Sequence, residues 1–170
     1  MKTLCSSQRY LLAGLFVAAF CLGCGGTDET PKFLKNLVPV TGTVTINGKP
    51  AVRARVRFIP PSGPDAPQGT HEATGVTDAD GKYTLVSPAP RVTLEQATGA
   101  LPGDYKVVIS LLLGSDGKPI PKGTTDADAM AQGAKESLPP QYSNESKTKL
   151  KATVSASSDP IDFDLKVRGR

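Results

Sequence analysis

Hydrophobic and polar residues alternate with a period of two along most of residues 39–167, which predicts strands with one buried face. Asn47-Gly48 follows the first alternating run and favours a tight hairpin, because both residues tolerate positive φ. A second hairpin is predicted for residues 73–87, around the turn Asp78-Ala79-Asp80-Gly81. The pattern predicts seven strands, at residues 40–46, 52–58, 73–77, 82–87, 104–113, 150–154 and 161–165.

Seven short strands with one apolar face each favour an all-β fold in which two antiparallel sheets pack as a seven-stranded, immunoglobulin-like sandwich. A parallel sheet would need crossover helices, and no segment between the strands predicts a long one. The connection at residues 114–149 is long for a loop and predicts a short helix, capped by Thr125. Its predicted apolar side carries Ala127, Met130, Ala131 and Ala134. Residues 138–142 are expected to be extended and to pack Leu138 and Tyr142 onto the sheets.

The N-terminal pattern differs: Lys2 and Arg9 precede an apolar run of 13 residues at positions 10–22. A helix of that length spans about 20 Å, too short for a hydrocarbon core of about 30 Å. A basic start and a short apolar run are typical of an export signal, here at residues 1–23. Residues 24–38 are polar and irregular, and we expect a flexible tether before a domain at residues 39–167. An ordinary secretory signal with cleavage nearby is the alternative.

Composition and charge exclude several function classes. Removing residues 1–23 takes away Lys2 and Arg9, so the net charge of the remaining chain falls from +4 to +2. That balance does not favour nucleic acid, which requires a clustered basic face. Of Cys5, Cys21 and Cys24, only the last would remain after export, so no internal disulfide and no cysteine-based metal site is expected.

Gly23-Cys24-Gly25-Gly26, after the basic start and apolar run, resembles the lipobox of bacterial lipoproteins. Three further motifs, at residues 40–50 (VTGTVTINGKP), 77–83 (TDADGKY) and 101–107 (LPGDYKV), are similar to carboxypeptidase regulatory-like domains. Together these features resemble small planctomycete lipoproteins with such a domain. The resemblance implies a transthyretin-like sandwich at the cell envelope and lipidation of Cys24 as the mature N-terminus. It brings no catalytic residues and no cofactor.

Arg53, Arg55 and Arg57 form the main candidate site for a partner, since alternation places all three guanidinium groups on one side of the second strand. Such a row could contact phosphate or carboxylate groups of the envelope. The alternative is a solvated outer face neutralised by acidic neighbours such as Asp162 and Asp164.

The remaining candidates for chemistry have simpler interpretations. Asp78 and Asp80 are spaced as in a calcium loop, but the further ligands that calcium needs are missing, so a tight turn is favoured. His71 is the only histidine, with neither the ligands of a zinc site nor a nucleophile motif beside it, and we expect a surface residue. We therefore expect neither a metal site nor an enzyme, and a hydrolase is the least favoured hypothesis.

The functional expectation is a lipid-anchored, non-catalytic module of the cell envelope, on the periplasmic or outer surface, serving as a structural or interaction module. Its expected partners are the membrane, through the anchor, and an envelope protein or a glycan. A carbohydrate-binding module is the alternative function. Such modules usually expose aromatic side chains, and this chain has no Trp and few aromatics after residue 23.

Overall fold

The computed structural model describes residues 31–62, 71–157 and 159–168, and these form mostly β-strands in antiparallel sheets, with few short helices. Cys24, the predicted signal and residues 24–30 of the predicted tether lie outside the described residues. Within the described part, no helix is long and apolar enough to cross a membrane. The strands are β1 (Thr41–Ile46), β2 (Lys49–Pro50), β3 (Arg55–Ile59), β4 (Ala73–Val76), β5 (Lys82–Thr84), β6 (Gly103–Ser110), β7 (Leu112–Leu113), β8 (Lys135–Glu136), β9 (Lys151–Val154) and β10 (Phe163–Leu165). The helices are a 3-10 helix (Lys32–Asn36), α1 (Asp126–Ala131) and α2 (Pro140–Ser143).

The all-β prediction is confirmed, and each of the seven predicted strands overlaps an observed one. Three of the observed strands, β2, β7 and β8, are only two residues long, and β2 and β8 lie outside the predicted strands. The strand predicted at residues 104–113 is divided because β6 ends at Ser110, and β7 then pairs with β8 instead of continuing in the same sheet.

The first sheet is built around β1, which pairs with β10 on one side and with β2 and β5 on the other. Asn47 and Gly48 have φ of 52° and 78°, so the predicted hairpin turn between β1 and β2 is confirmed. The pairing of β1 with β10 is parallel, whereas we expected antiparallel neighbours throughout. Because β1 and β10 are separated in the chain by the other strands, this parallel pair needs no crossover helix directly between them.

The second sheet has the order β4-β3-β6-β9, and all its pairs are antiparallel. β4 and β5 do not form the predicted hairpin, because β4 pairs with β3 and β5 pairs with β1. The two segments remain close, because Thr74 of β4 and Val86, two residues after β5, exchange two backbone hydrogen bonds of 2.8 Å. The turn between them therefore carries the chain from one sheet to the other.

Both sheets contribute to one hydrophobic core. Phe58 of β3 lies edge-on to Phe163 of β10, with ring centroids 6.2 Å apart, and this contact joins the inner faces. Burial of such side chains contributes roughly 1.5–3 kcal/mol each to stability. Fully or nearly fully buried members include Val44, Val56, Phe58, Tyr83, Leu85, Val107, Ile109 and Leu165.

The connection at residues 114–149 contains the predicted helix as α1, and Thr125 caps it by accepting a hydrogen bond from the Asp128 backbone N–H. Within α1 the predicted apolar side is wrong, because Ala129 is buried while Met130 is 60% exposed. Of the predicted residues, Ala134, which follows the helix, is buried. Six residues make too little helix for periodicity to assign a face.

Residues 138–142 do pack onto the sheets, but as the helical turn α2 rather than an extended segment. Leu138 is buried in the core, and the Tyr142 hydroxyl donates to the Lys166 carbonyl beyond β10. Pro140 at the start of α2 supplies a φ suited to a first helical turn. This turn therefore links the β6 side of the second sheet to the end of the first.

Ordered pairing begins inside the predicted tether. Val38 and Ala100 exchange two backbone hydrogen bonds, at 2.9 and 3.0 Å, and the 3-10 helix precedes them. Phe33 of this helix stacks on His71, with ring centroids 4.0 Å apart. The segment directly before residue 39 is thus held to the sheets by backbone and aromatic contacts that polar composition alone did not predict.

Candidate functional site

The three predicted arginines do not form one regular row. Arg55 and Arg57 lie on the outer face of β3, but Arg53 precedes the strand with φ of 64°, in the left-handed region. The Thr77 side chain accepts from the Ala54 N–H and donates to the Ala51 carbonyl, which holds this bend before the strand. The strand predicted at residue 52 therefore starts at Arg55.

Arg57 is neutralised by a carboxylate of the same chain. Its Nε and one terminal nitrogen donate to the two Glu72 oxygens at 2.6 and 2.9 Å, a bidentate pair. Glu72 directly precedes β4, which pairs with β3, so the sheet register brings the two side chains together. The hydrogen bond with Glu72 raises the pKa of Arg57 above its ordinary value. Because both side chains are about one-third exposed or more, solvent screening limits the pair to about 1 kcal/mol or less.

Arg53 and Arg55 are bound by the connection at residues 114–149. Arg55 pairs with Asp126 at 2.7 Å, and Arg53 Nε donates to the Ile120 carbonyl at 3.3 Å. Arg53, Arg55 and Ser110 line a small cleft of about 30 Å³. Arg55 Nε is buried beside it without a hydrogen-bond partner among the described residues. The cleft is large enough for a water molecule, which could accept from Arg55 Nε.

The acidic neighbours expected for the arginines serve other groups. Asp162 accepts from the Thr43 backbone N–H at 2.6 Å. Asp164 accepts from the Thr45 hydroxyl and pairs with Lys166, and these contacts, with that of Lys166 first, lower the pKa of its carboxyl group. Both lie on the sheet of β1 and β10, away from β3.

The predicted Asp78 turn is held by its own carboxylate. Asp78 Oδ1 accepts from the backbone N–H groups of Asp80 and Lys82, both at 2.9 Å. Within residues 31–62, 71–157 and 159–168, no three His, Cys, Asp or Glu side chains are grouped so that they could hold a metal ion.

Aromatic side chains are mostly used in the core. Phe58, Tyr83, Tyr105 and Phe163 are buried. The Tyr83 hydroxyl donates to the Ile161 carbonyl at 2.6 Å, and that of Tyr105 donates to the Leu101 carbonyl at 2.8 Å. Burial raises the pKa of both phenols, and the Asp162 carboxylate raises that of Tyr83 further. These four residues are therefore unavailable for an exposed platform of the kind on which glycans stack.

A groove of about 560 Å³ lies at the end of the second sheet where β6 begins, and sequence reasoning missed it. Lys106 of β6 and Lys151 of β9 face each other there across the strand pair. Alternation along each strand indicates that both lysines point outward, but a single sequence does not reveal the register that sets them opposite. The other lining residues are Ile59, Pro60, Pro61, Ser62, Asp104, Tyr105, Glu145, Ala152 and Thr153.

Comparisons with known proteins add little to this geometry. No family model and no curated protein matches the sequence. The chain is similar to a solved structure of a 9R-lipoxygenase from Cyanothece PCC8801, at 16% identity and a TM-score of 0.32. That match covers 79% of this chain but spans only 17% of the lipoxygenase chain, and a likeness this low carries no argument about function.

Proposed function

We propose that this chain is a lipid-anchored, non-catalytic module of the bacterial cell envelope, attached through Cys24 and serving as a structural or interaction module. In this proposal residues 1–23 direct export and are removed. Cys24 then carries the lipid as the mature N-terminus, so the membrane is the first partner. The two packed sheets form a transthyretin-like sandwich similar to carboxypeptidase regulatory-like domains.

One observation carries the proposal: the order of segments along the chain. A basic start, a 13-residue apolar run and Gly-Cys-Gly-Gly come first, and sheet pairing begins at Val38, 14 residues after Cys24. At about 3.5 Å per residue, those 14 residues reach at most about 50 Å. A folded body tied this closely to a lipidated cysteine would stay at the membrane surface.

The packing supports the sandwich assignment. The core draws on inner-face residues of both sheets, and Phe58 contacts Phe163 between them. The arginines first considered for a partner are bound within the chain, since Arg57 holds Glu72 and Arg55 holds Asp126. A stabilising role on the outer face of β3 accounts for both pairs.

Replacing Cys24 tests the anchor. In cells that lipidate exported proteins, we expect the protein with its natural sequence to be recovered in the membrane fraction. When a detergent extract of that fraction is separated into detergent-rich and aqueous phases, the protein should enter the detergent-rich phase. Cys24→Ala should lose that partitioning, because the thioether-linked lipid needs the thiol. Two or more acyl chains are required for stable anchoring, so the change should be close to complete.

The matched control is Cys21→Leu, which removes a cysteine three positions earlier. It leaves the thiol of Cys24 in place, so membrane partitioning should be retained. If Cys24→Ala stays in the detergent phase as well as Cys21→Leu does, the anchor proposal is wrong.

A further inference from the structure

The groove beside Lys106 and Lys151 combines the size of a binding site with two like charges that face each other on paired strands. Its volume of about 560 Å³ lies within the range of roughly 300–1,000 Å³ that small-molecule sites occupy. Ile59 and Pro60 contribute apolar surface on one side. A ligand that carries an anionic group beside a short apolar segment would match both the lysine pair and the apolar surface.

Lys106 and Lys151 are directly opposite each other in the antiparallel pair of β6 and β9. Residues in such positions have Cβ atoms about 5 Å apart, and like charges there destabilise a sheet. Neither ammonium group forms an ion pair within the part of the chain that the structure describes. A phosphate group between them would accept hydrogen bonds from both and remove the repulsion.

Asp104 and Glu145 also line the groove, so its formal charges balance overall, but among the described residues neither carboxylate forms an ion pair with Lys106 or Lys151. One oxygen of Asp104 accepts from the Thr153 hydroxyl at 2.6 Å, a contact that orients the carboxylate without neutralising it. Glu145 lines the groove and also lies near Arg57, where its charge helps to raise the pKa of the guanidinium.

The groove lies at the end of the molecule where the chain enters from the N-terminal side. Register places Ile59 opposite Lys106 and Phe58 opposite Ala73, so β3 ends and β4 begins at this end of the sheet. His71, two residues before β4, stacks on Phe33 of the 3-10 helix. Lys32 and Lys35 of that helix add two more positive charges near the entry point.

From this placement we propose that the groove at Lys106 and Lys151 binds phosphate groups of anionic membrane lipids at the surface to which the chain is anchored. The proposal rests on the proposed function, because the anchor brings this end toward the membrane. Contact at the groove would give the anchored domain a fixed orientation that a lipid on Cys24 alone does not impose.

The test uses the full, lipidated protein in vesicles, with an environment-sensitive fluorophore on Ser62→Cys. Ser62 is exposed and lines the groove, and Cys24 is blocked by its lipid, so this thiol is the one labelled. We expect the emission of the fluorophore to shift to shorter wavelength in vesicles that contain phosphatidylglycerol, and not to shift in vesicles of phosphatidylcholine alone. The shift should be present at about 0.1 M salt and lost at about 1 M, where the Debye length falls to about 3 Å.

Lys106→Gln with Lys151→Gln should abolish the shift, since losing two lysines near an anionic surface changes the contact equilibrium by roughly 30-fold. The matched control is Lys49→Gln with Lys122→Gln, which removes the same charge. Lys49 lies in the hairpin after β1 and Lys122 lies near the Arg53 end of β3, so both are remote from the groove. This control should keep the shift.

Binding of the protein to phosphatidylcholine vesicles tests the lipid anchor without the groove, because these vesicles carry no net negative charge. Failure of the anchor proposal and failure of the groove proposal are therefore distinguishable. The groove proposal is overturned if the shift survives the Lys106 and Lys151 substitutions or is equal in both kinds of vesicle. It is also overturned if inorganic phosphate alone produces the shift in phosphatidylcholine vesicles, because the groove would then bind a soluble anion.

Discussion

At the residue scale, buried hydroxyl groups act as connections between distant backbone segments. Tyr83 reaches from β5 to the Ile161 carbonyl, and Thr77 joins the backbone on both sides of Arg53. Thr77 is 1% exposed and Tyr83 is 3% exposed, so both hydroxyl groups depend on these backbone partners for their hydrogen bonds. These contacts explain why polar atoms lie within an otherwise apolar core.

Tyr83→Phe should lower the free energy of unfolding by about 1 kcal/mol at neutral pH, because the Ile161 carbonyl loses its donor. The raised pKa of Tyr83 in the folded protein predicts how this changes with pH. Above about pH 10 the phenol ionises in the unfolded chain while the folded chain keeps its proton, so the unmodified protein loses stability as the pH rises. The difference in free energy of unfolding between the natural protein and Tyr83→Phe, measured by urea unfolding, should therefore narrow between about pH 9 and pH 11. A constant difference over that range would contradict this account.

At the element scale, local signals were predictable and long-range partners were not. The Asn47-Gly48 hairpin and the Thr125 cap follow from residues adjacent in sequence, and both predictions are confirmed. β4 and β5 lie in different sheets because each pairs with a longer strand instead of with the other: β4 pairs with β3, and β5 pairs with β1. For the same reason, the outward placement of Arg55 and Arg57 was predictable, whereas Glu72 and Asp126 as their partners were not.

Gly42 is where β1 meets the segment that leads into β10. A Cβ atom there would overlap the Ile161 carbonyl, a backbone group that cannot move without disturbing the sheet. Gly42→Ala should therefore destabilise the fold by about 2–3 kcal/mol, as overpacking does in a filled interior. Urea unfolding monitored by circular dichroism would measure it.

Gly48→Ala is the matched control, because Gly48 has open space around it but a φ of 78°. Its cost should be only that of backbone conformation, about 1 kcal/mol. If Gly48→Ala costs as much as Gly42→Ala, close approach of the backbones is not what requires glycine in β1.

At the scale of the whole molecule, the cationic side chains at the two ends of the second sheet differ in whether they have partners within the chain. Near Arg53 and Arg55 the chain supplies its own acceptors, Ile120 and Asp126. At the other end, Lys106 and Lys151 face each other without an ion pair among the described residues. The sequence pattern alone favoured the arginine row as the contact surface, because pairing between strands is not visible in a single sequence.

The central claim is that Cys24 is the lipidated N-terminus of an anchored domain, and intact mass spectrometry of the protein purified from native membranes tests it most directly. We predict a chain that begins at Cys24 and carries the added mass of a diacylglycerol group and an acyl chain. A mass that corresponds to an unmodified chain, whether it begins at Met1 or after cleavage at another residue, would contradict the account.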